Sequence, residues 1–120
     1  MKKVLVIDDE PDILKVISFR LKKSGYEILT AANGKIALDI ISVNKPDLVL
    51  LDLRMPVMGG EEVCARIKSD SLLKNIPIIL LTASSGGKIA EKAKELGVED
   101  YLVKPFDSDV LLKKVQKLIG

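Results

Sequence analysis

Polar side chains follow the short apolar runs of this sequence at points where they could do chemistry together. They are Asp8, Asp9 and Glu10 after the first run, Asp52 after the third, Thr82 after the fourth and Lys104 after the fifth. If the runs are parallel strands, their carboxyl ends meet at one edge of a sheet, which is where ligands bind in open α/β proteins. We therefore expect these side chains to converge.

A convergent set of this kind would support phosphoryl transfer at a carboxylate. Crowded carboxylates raise one another's pKa values, and a divalent cation together with a lysine relieves that cost. A ligand set made only of oxygen suits Mg²⁺, with Mn²⁺ as a second candidate. A lysine ammonium and a threonine hydroxyl are suitable partners for phosphoryl oxygens.

Each member also has a simpler structural interpretation. The acidic group at residues 8–10 could cap a helix that begins near Pro11, and Asp52 could end a strand or close a turn. Thr82 could be a β-former at a strand terminus, and Lys104 could be a solvated lysine ahead of a proline turn. The position that all of them share at strand ends, and not any one residue, favours the chemical interpretation.

The composition excludes several other kinds of site. The 120 residues include no histidine, no tryptophan and one cysteine, Cys64. Without histidine there is no Ser-His-Asp triad and no imidazole metal ligand. A single cysteine forms neither an internal disulfide nor a thiolate metal cluster.

Charge and hydrophobicity narrow the class of protein further. The net charge is +2 and aromatic residues make up 3% of the chain, which argues against direct nucleic-acid binding. No apolar run approaches the roughly 18 residues of a membrane span. The apolar run that follows Met1-Lys2-Lys3 is too short for a signal peptide. We therefore expect a soluble cytoplasmic domain without membrane insertion.

The elements that must position these groups alternate between strand and helix. Continuous apolar runs at residues 4–7, 48–51 and 76–81 predict buried parallel strands, with Pro77 near the start of the last one. Mixed runs at residues 28–31 and 101–103 predict edge strands. Helical spacing separates the runs, as at Ile13, Ile17 and Leu21, and Asp107 or Ser108 is the expected cap of the last helix. We expect one domain over residues 1–120, with a parallel sheet between two helix layers.

In order and spacing, the motifs resemble the receiver domain of two-component response regulators over essentially the whole chain. They are Asp8-Asp9-Glu10, Leu50-Leu51-Asp52-Leu53-Arg54-Met55-Pro56 with Gly59 and Gly60, Leu81-Thr82-Ala83, and Lys104-Pro105-Phe106. Gly59 stands where many members of the family carry an aspartate. The resemblance implies a doubly wound (βα)5 flavodoxin-like three-layer sandwich with strand order 2-1-3-4-5, similar to a chemotaxis receiver.

The resemblance also implies roles for the acidic residues. Asp52 would accept a phosphoryl group from the phosphohistidine of a sensor histidine kinase or a phosphotransfer protein. Asp9 and Asp52 would hold Mg²⁺ directly, together with the backbone carbonyl of Arg54. Asp8 would assist through a water molecule. The chain would catalyse its own phosphorylation and dephosphorylation without being a conventional multi-substrate enzyme.

The remaining motifs would bind and report the phosphoryl group. Lys104, Thr82 and the backbone amide of Ala83 would bind its oxygens, and the Lys104–Pro105 peptide bond would be cis. Thr82 would move towards the phosphoryl group, and Tyr101 would turn inward into the vacated space. This would change the surface of the fourth helix, fifth strand and fifth helix, which would contact an unknown target, an output domain or a second copy.

Two positions are expected to tune the phosphoryl lifetime, and a group of lysines has two interpretations. Arg54 and Ser84 would border the path of attacking water. The lysines are expected to lie on solvated helix faces, with an acidic partner as the alternative. They are Lys88, Lys92, Lys113, Lys114 and Lys117.

Other functions fit the residues less well. A haloacid-dehalogenase-type phosphatase needs an acid two residues after its nucleophile, where this chain has Arg54. A flavodoxin would need a hydroxyl-rich phosphate loop after the first strand, and a dinucleotide site would need Gly-x-Gly-x-x-Gly there. The strongest rival is a receiver-like protein-interaction module that works without phosphorylation.

Overall fold

The structure, a computed structural model, describes residues 1–55, 57–83 and 88–120. Strands and helices alternate within these ranges, as the apolar runs predicted. In chain order they are β1 (Lys3–Ile7), α1 (Pro11–Lys23), β2 (Glu27–Ala31), α2 (Gly34–Asn44), β3 (Leu48–Asp52), α3 (Gly60–Ser69), β4 (Ile78–Thr82), α4 (Lys88–Leu96), β5 (Asp100–Val103) and α5 (Ser108–Ile119).

The five described strands form one parallel sheet in the order β2-β1-β3-β4-β5. This order confirms the doubly wound, flavodoxin-like fold that the resemblance implied, and it places the two mixed strands at the edges. The strand order reverses between β1 and β3, which pair directly, with Val6 opposite Leu50. Ligands of doubly wound sheets bind beside such a reversal, so the loops after β1 and β3 are the expected site.

Alternate residues of the strands point to opposite faces of the sheet and build two apolar clusters. One cluster joins the sheet to α1 and α5 through side chains such as Ile17 and Val115. The other joins it to α2, α3 and α4 through side chains such as Ile41 and Ile67. All of β3 and β4 is buried, because helices cover both faces there.

Helix termini follow local side-chain chemistry. The Asn33 side chain accepts a hydrogen bond from the backbone N–H of Ile36 at 2.9 Å, which caps α2. Asp107 caps α5 by accepting from the N–H of Asp109 at 2.7 Å, so Asp107 rather than Ser108 is the cap. No helix in the parts of the chain that the structure describes is long and apolar enough to cross a membrane.

Strand boundaries differ from the predicted ones around β4. The strand begins at Ile78, so Ile76 and Pro77 lie before it. Pro77 has no N–H for the ladder, but its carbonyl oxygen still accepts a hydrogen bond from the N–H of Val49 at 3.0 Å. At the other end the strand includes Thr82, which side-chain hydrophobicity alone had placed after it.

Candidate functional site

The carboxyl ends of the strands gather the polar side chains that the sequence singled out. Among the residues that the structure describes, the buried polar or charged side chains are Asp8, Asp52 and Thr82. Asp8 directly follows β1, and Asp52 and Thr82 are the last residues of β3 and β4. Burying polar groups is costly without partners, so their concentration at one edge marks this edge as a site.

The ammonium group of Lys104 lies among three carboxylates at this edge. Its Nζ atom is 2.7 Å from Oδ2 of Asp8 and 3.1 Å from Oε1 of Glu10. It is 3.5 Å from Oδ2 of Asp52, at the long end of an ion-pair contact. The side chain of Lys104 is only 10% exposed. One cation therefore connects the ends of β1, β3 and β5.

The backbone holds Lys104 in this position. Its N–H donates a hydrogen bond to the carbonyl oxygen of Thr82 at 2.6 Å, which continues the pairing of β4 with β5 by one residue. This bond fixes the lysine to the end of β4, next to the central strands. The peptide bond between Lys104 and Pro105 is cis, as the resemblance implied.

Burial raises the pKa of Asp52 to about 6. The backbone N–H of Arg54, which donates to Oδ1 of Asp52 at 3.1 Å, opposes this rise. The negative charge of Asp8 raises the pKa further, and Lys104 lowers it. Asp52 is therefore mostly ionised at neutral pH, as a carboxylate nucleophile must be.

The surroundings of Lys104 shift the pKa of its ammonium group in opposite directions. Burial lowers its pKa, but the hydrogen bonds to Asp8 and Glu10 and the charges of Asp52 and Asp8 outweigh that effect. The pKa of Lys104 ends above its ordinary value. The side chain is therefore a permanent cation at physiological pH.

Four carboxylates have an arrangement that fits a small divalent cation. One oxygen from each of Asp8, Asp9, Glu10 and Asp52 lies within 4.8 Å of the others. The set contains only oxygen donors, which suits hard cations such as Mg²⁺. Asp8 and Asp52 are buried while Asp9 and Glu10 are exposed, so one side of the cluster is open to water and to a phosphate group.

The acidic group at residues 8–10 does more than cap α1. Glu10 occupies the N-cap position, but its side chain makes no capping hydrogen bond to the helix. Instead, Oδ1 of Asp8 accepts a hydrogen bond from the N–H of Glu10 at 2.9 Å. This bond shapes the turn after β1, and it leaves the second oxygen of Asp8 for Lys104.

The first residue of α3 packs directly against the end of β3. A Cβ atom added to Gly60 would come within 2.7 Å of Cα of Leu53 and would also collide with the carbonyl oxygen of Asp52. The N–H of Gly60 donates to the carbonyl oxygen of Leu53 at 3.1 Å. The close approach of the two backbones explains why the motif has a glycine at position 60.

Two of the other implied site residues lie at a groove between α3 and α4. Arg54 and Thr82 both line this groove, whose volume is about 390 Å³. Ala83 follows β4 and is exposed, and Tyr101 is half-buried against the cluster that contains α4. Ser84, expected to tune the phosphoryl lifetime, lies outside the described residues, as does Pro56 of the motif.

Sequence reasoning missed several contacts of charged residues. It expected Glu10 to lie at this edge but gave it no individual role, so its contact with Lys104 was not predicted. The expectation of solvated helix faces did not include two ion pairs: Lys92, which stays 40% exposed, pairs with Glu61 at 2.5 Å, and the less exposed Lys114 binds Asp100 at 2.9 Å. Both lysines face an acid on a neighbouring element, which helical spacing alone does not reveal.

Comparison with known proteins assigns the family. Residues 4–116 match the response regulator receiver domain. The chain is 42% identical over 120 residues to a probable transcriptional regulator, ycf27, of Cyanophora paradoxa. It is 36% identical over 118 residues to the alkaline phosphatase synthesis transcriptional regulatory protein PhoP of Bacillus subtilis. Each match covers 98% of this chain and 48% of the relative, so the chain spans about half the length of these relatives.

Solved structures agree with this match. The chemotaxis protein CheY4 of Vibrio cholerae has a TM-score of 0.92 and 36% identity, with 99% of each chain covered. The response regulator TrrA of Thermotoga maritima, solved in complex with Mg²⁺-BeF, has a TM-score of 0.87 and 41% identity over 99% of this chain and 100% of that one. The chain belongs to the family of response regulator receiver domains.

Proposed function

We propose that this chain is a phosphorylatable receiver that takes a phosphoryl group onto Asp52 from a histidine kinase or a histidine phosphotransfer protein. One observation carries the proposal: the buried Asp52 carboxylate lies beside Asp8 and within 3.5 Å of the Lys104 ammonium. A module that works only by protein contact has no need for a buried carboxylate pair and a buried cation, which are costly to desolvate.

Asp52 acts as the nucleophile. A carboxylate oxygen of Asp52 forms a bond to phosphorus as the phosphorus–nitrogen bond of the donor phosphohistidine breaks. The bonding electron pair stays with the imidazole of the donor, which regains a proton from solvent. The product on this chain is an acyl phosphate, and hydrolysis by water returns the Asp52 carboxylate and inorganic phosphate.

Lys104 neutralises the charge that arrives with the phosphoryl group. The group brings up to two negative charges and three acceptor oxygens into a site that already holds several carboxylates. The Nζ atom of Lys104 is close enough to Asp52 to donate to one of those oxygens. We propose that the Thr82 hydroxyl and the backbone amide of Ala83 bind others.

A divalent cation, Mg²⁺ or Mn²⁺, completes the proposed site. Asp9, Asp52 and the backbone carbonyl of Arg54 would hold the ion directly, and Asp8 would act through water. The ion supplies positive charge that offsets the charge of the phosphoryl oxygens. The close group of carboxylate oxygens supports this assignment. So does the Mg²⁺-BeF complex of TrrA, which is 41% identical to this chain.

The proposed signal leaves the site through Thr82 and Tyr101. Thr82 is drawn towards the phosphoryl group, and the half-buried Tyr101 turns inward into the space that Thr82 leaves. The surface formed by α4, β5 and α5 then changes its affinity for a downstream target, an attached output domain or a second copy of the chain. The relatives named as transcriptional regulators support an output of this kind.

The proposed reaction is a single modification rather than turnover of separate substrates. The chain promotes its own phosphorylation and dephosphorylation, and Arg54 affects how long the acyl phosphate lasts, because it lines the groove beside Thr82. We propose that exchange with the kinase takes place in the cytoplasm.

Mass spectrometry after incubation with Mg²⁺ and a small acyl-phosphate donor tests the proposal. We expect the addition of one phosphoryl group to the wild-type chain and none to Asp52→Asn. Asp39→Asn, which removes an exposed aspartate from α2, is the matched control and should be modified like the wild type. If the wild type gains no phosphoryl group from this donor or from any histidine kinase, the receiver-like interaction module becomes the better account.

A further inference from the structure

The ammonium group of Lys104 makes two hydrogen bonds, to Asp8 and Glu10, and one longer ion-pair contact, to Asp52. A lysine ammonium has three N–H donors. Its three neighbours are carboxylate oxygens of Asp8 at 2.7 Å, Glu10 at 3.1 Å and Asp52 at 3.5 Å. The ammonium group therefore lies nearer to Asp8 and Glu10 than to Asp52, and a phosphoryl oxygen on Asp52 would compete with these two carboxylates for it.

The exposure of the three carboxylates differs sharply. The side chain of Asp8 is 0% exposed and that of Asp52 is 6% exposed, whereas that of Glu10 is 59% exposed. Water can replace Lys104 as the partner of Glu10 at little cost, because the carboxylate is already solvated. Asp8 has no such access to water, so its contact with Lys104 is costly to give up. Glu10 is the partner that can be released.

We propose that Glu10 is a positioning residue for Lys104. In the unmodified chain it accepts a hydrogen bond from the ammonium group at 3.1 Å, and it competes with the phosphoryl oxygens for that group. This inference rests on the proposed function. It adds that Glu10, which is neither the phosphoacceptor nor one of the proposed metal ligands, opposes phosphorylation through its contact with Lys104.

The binding of beryllofluoride, a phosphoryl mimic, to Asp52 at saturating Mg²⁺ tests this role. Removing an ion pair whose carboxylate is solvated, as that of Glu10 is, changes an equilibrium by about two- to five-fold. We therefore expect Glu10→Gln to lower the Kd for beryllofluoride by about two- to five-fold, measured by NMR titration. Glutamine keeps the size of the side chain but removes the charge that holds the ammonium group.

Two further variants separate the effect of the contact between Glu10 and Lys104 from the general effect of removing a negative charge. Asp12→Asn removes the same charge two residues further along, in the first turn of α1, and should lower the Kd less than Glu10→Gln does. In a Lys104→Met background, Glu10→Gln should have no larger effect than Asp12→Asn. A merely structural role of Glu10 would not depend on the residue at position 104.

The outcomes distinguish this inference from the proposed function. If Glu10→Gln leaves the Kd at the value of Asp12→Asn, or lowers it equally in the Lys104→Met background, the positioning role is wrong while the receiver function stands. If Glu10→Gln raises the Kd and weakens Mg²⁺ binding, Glu10 is a metal ligand instead, and the positioning role is again wrong. If the wild type does not bind beryllofluoride at all, the proposed function fails and the inference fails with it.

Discussion

The Nζ atom of Lys104 lies 2.7 Å from Oδ2 of Asp8, although the two residues are 96 positions apart in the chain. The side chains are 10% and 0% exposed. Both side chains are shielded from water, so each charge is stabilised mainly by the other, because an unpaired buried charge costs several kcal/mol. This pair links the ends of β1 and β5 across the site, so its loss should affect both stability and chemistry.

Lys104→Met should destabilise the protein in the absence of divalent cations. It leaves the buried Asp8 without its charged partner, and breaking a buried pair in this way costs about 3 kcal/mol. Urea unfolding at neutral pH measures the loss. Mg²⁺ should recover part of it, because the cation replaces the missing positive charge among the carboxylates.

The matched control for this variant is Lys113→Met, which removes an exposed lysine from α5. Its free energy of unfolding should stay within about 0.5 kcal/mol of the wild type. Equal effects of the two substitutions would show that the contact between Lys104 and Asp8 contributes nothing to stability.

The stability gained by Asp52→Asn should depend on pH. Asp52 has a pKa of about 6 in the folded protein, against an ordinary value of 3.8. The folded state therefore holds the proton more tightly, and ionisation of Asp52 destabilises the fold as pH rises from about 4 to about 6. The neutral amide of the Asp52→Asn variant avoids this cost. In metal-free buffer, the gain over wild type should be larger at pH 7.5 than at pH 4.5 by about 2 kcal/mol, because part of the cost is already present at pH 4.5.

Unfolding of both proteins at the two pH values measures this difference, since contributions from titrating groups remote from Asp52 cancel in the comparison. If the stability gained by Asp52→Asn is the same at both pH values, burial does not raise the pKa of Asp52.

Gly60→Ala should be far more damaging than Gly59→Ala. A Cβ atom at Gly60 would collide with the backbone of Asp52 and Leu53, whereas one at Gly59 would have its nearest neighbour at 3.8 Å. Overpacking of this kind costs about 1–3 kcal/mol, and it would shift the end of β3 that carries Asp52. Denaturant unfolding and the rate of phosphorylation check the two variants side by side. Equal behaviour would contradict the close packing of α3 on β3.

Beryllofluoride with Mg²⁺ should perturb the NMR signals of Thr82 and Tyr101. Thr82 lies at the end of β4 beside the site, and Tyr101 packs half-buried against the apolar cluster to which α4 contributes. Signals from Asn44, at the end of α2, should change little. The Asp52→Asn variant should show none of these shifts. Binding to the wild type without a change at Thr82 and Tyr101 would refute the switch while leaving phosphorylation intact.

Much of the site follows from simple sequence rules. Continuous apolar runs predict parallel strands, and the carboxyl ends of parallel strands share one edge, so the convergence of Asp8, Asp52 and Lys104 could be predicted. The pairing of β1 with β3 could not, because periodicity shows that a strand is buried but not which strand lies beside it. That order came from the resemblance to receiver domains.

Contacts between long charged side chains were beyond sequence reasoning. Glu10 and Lys104 were expected at the same edge, but their direct pairing was not, and neither was the pairing of Lys92 with Glu61 on another helix. Such pairs depend on the direction of side chains across neighbouring elements, and exposed pairs leave no hydrophobic signature in the sequence. The start of β4 was misplaced because Ile76 extends the apolar run although Pro77 interrupts the ladder.

The central claim is that Asp52, and not a neighbouring carboxylate, carries the phosphoryl group. Borohydride reduces an aspartyl phosphate to homoserine, which marks the modified position permanently. The wild type should be phosphorylated with an acyl-phosphate donor and Mg²⁺, reduced, digested and sequenced by mass spectrometry. The account predicts homoserine at position 52. Homoserine at position 8 or 9, or none anywhere despite an added phosphoryl group, would contradict it.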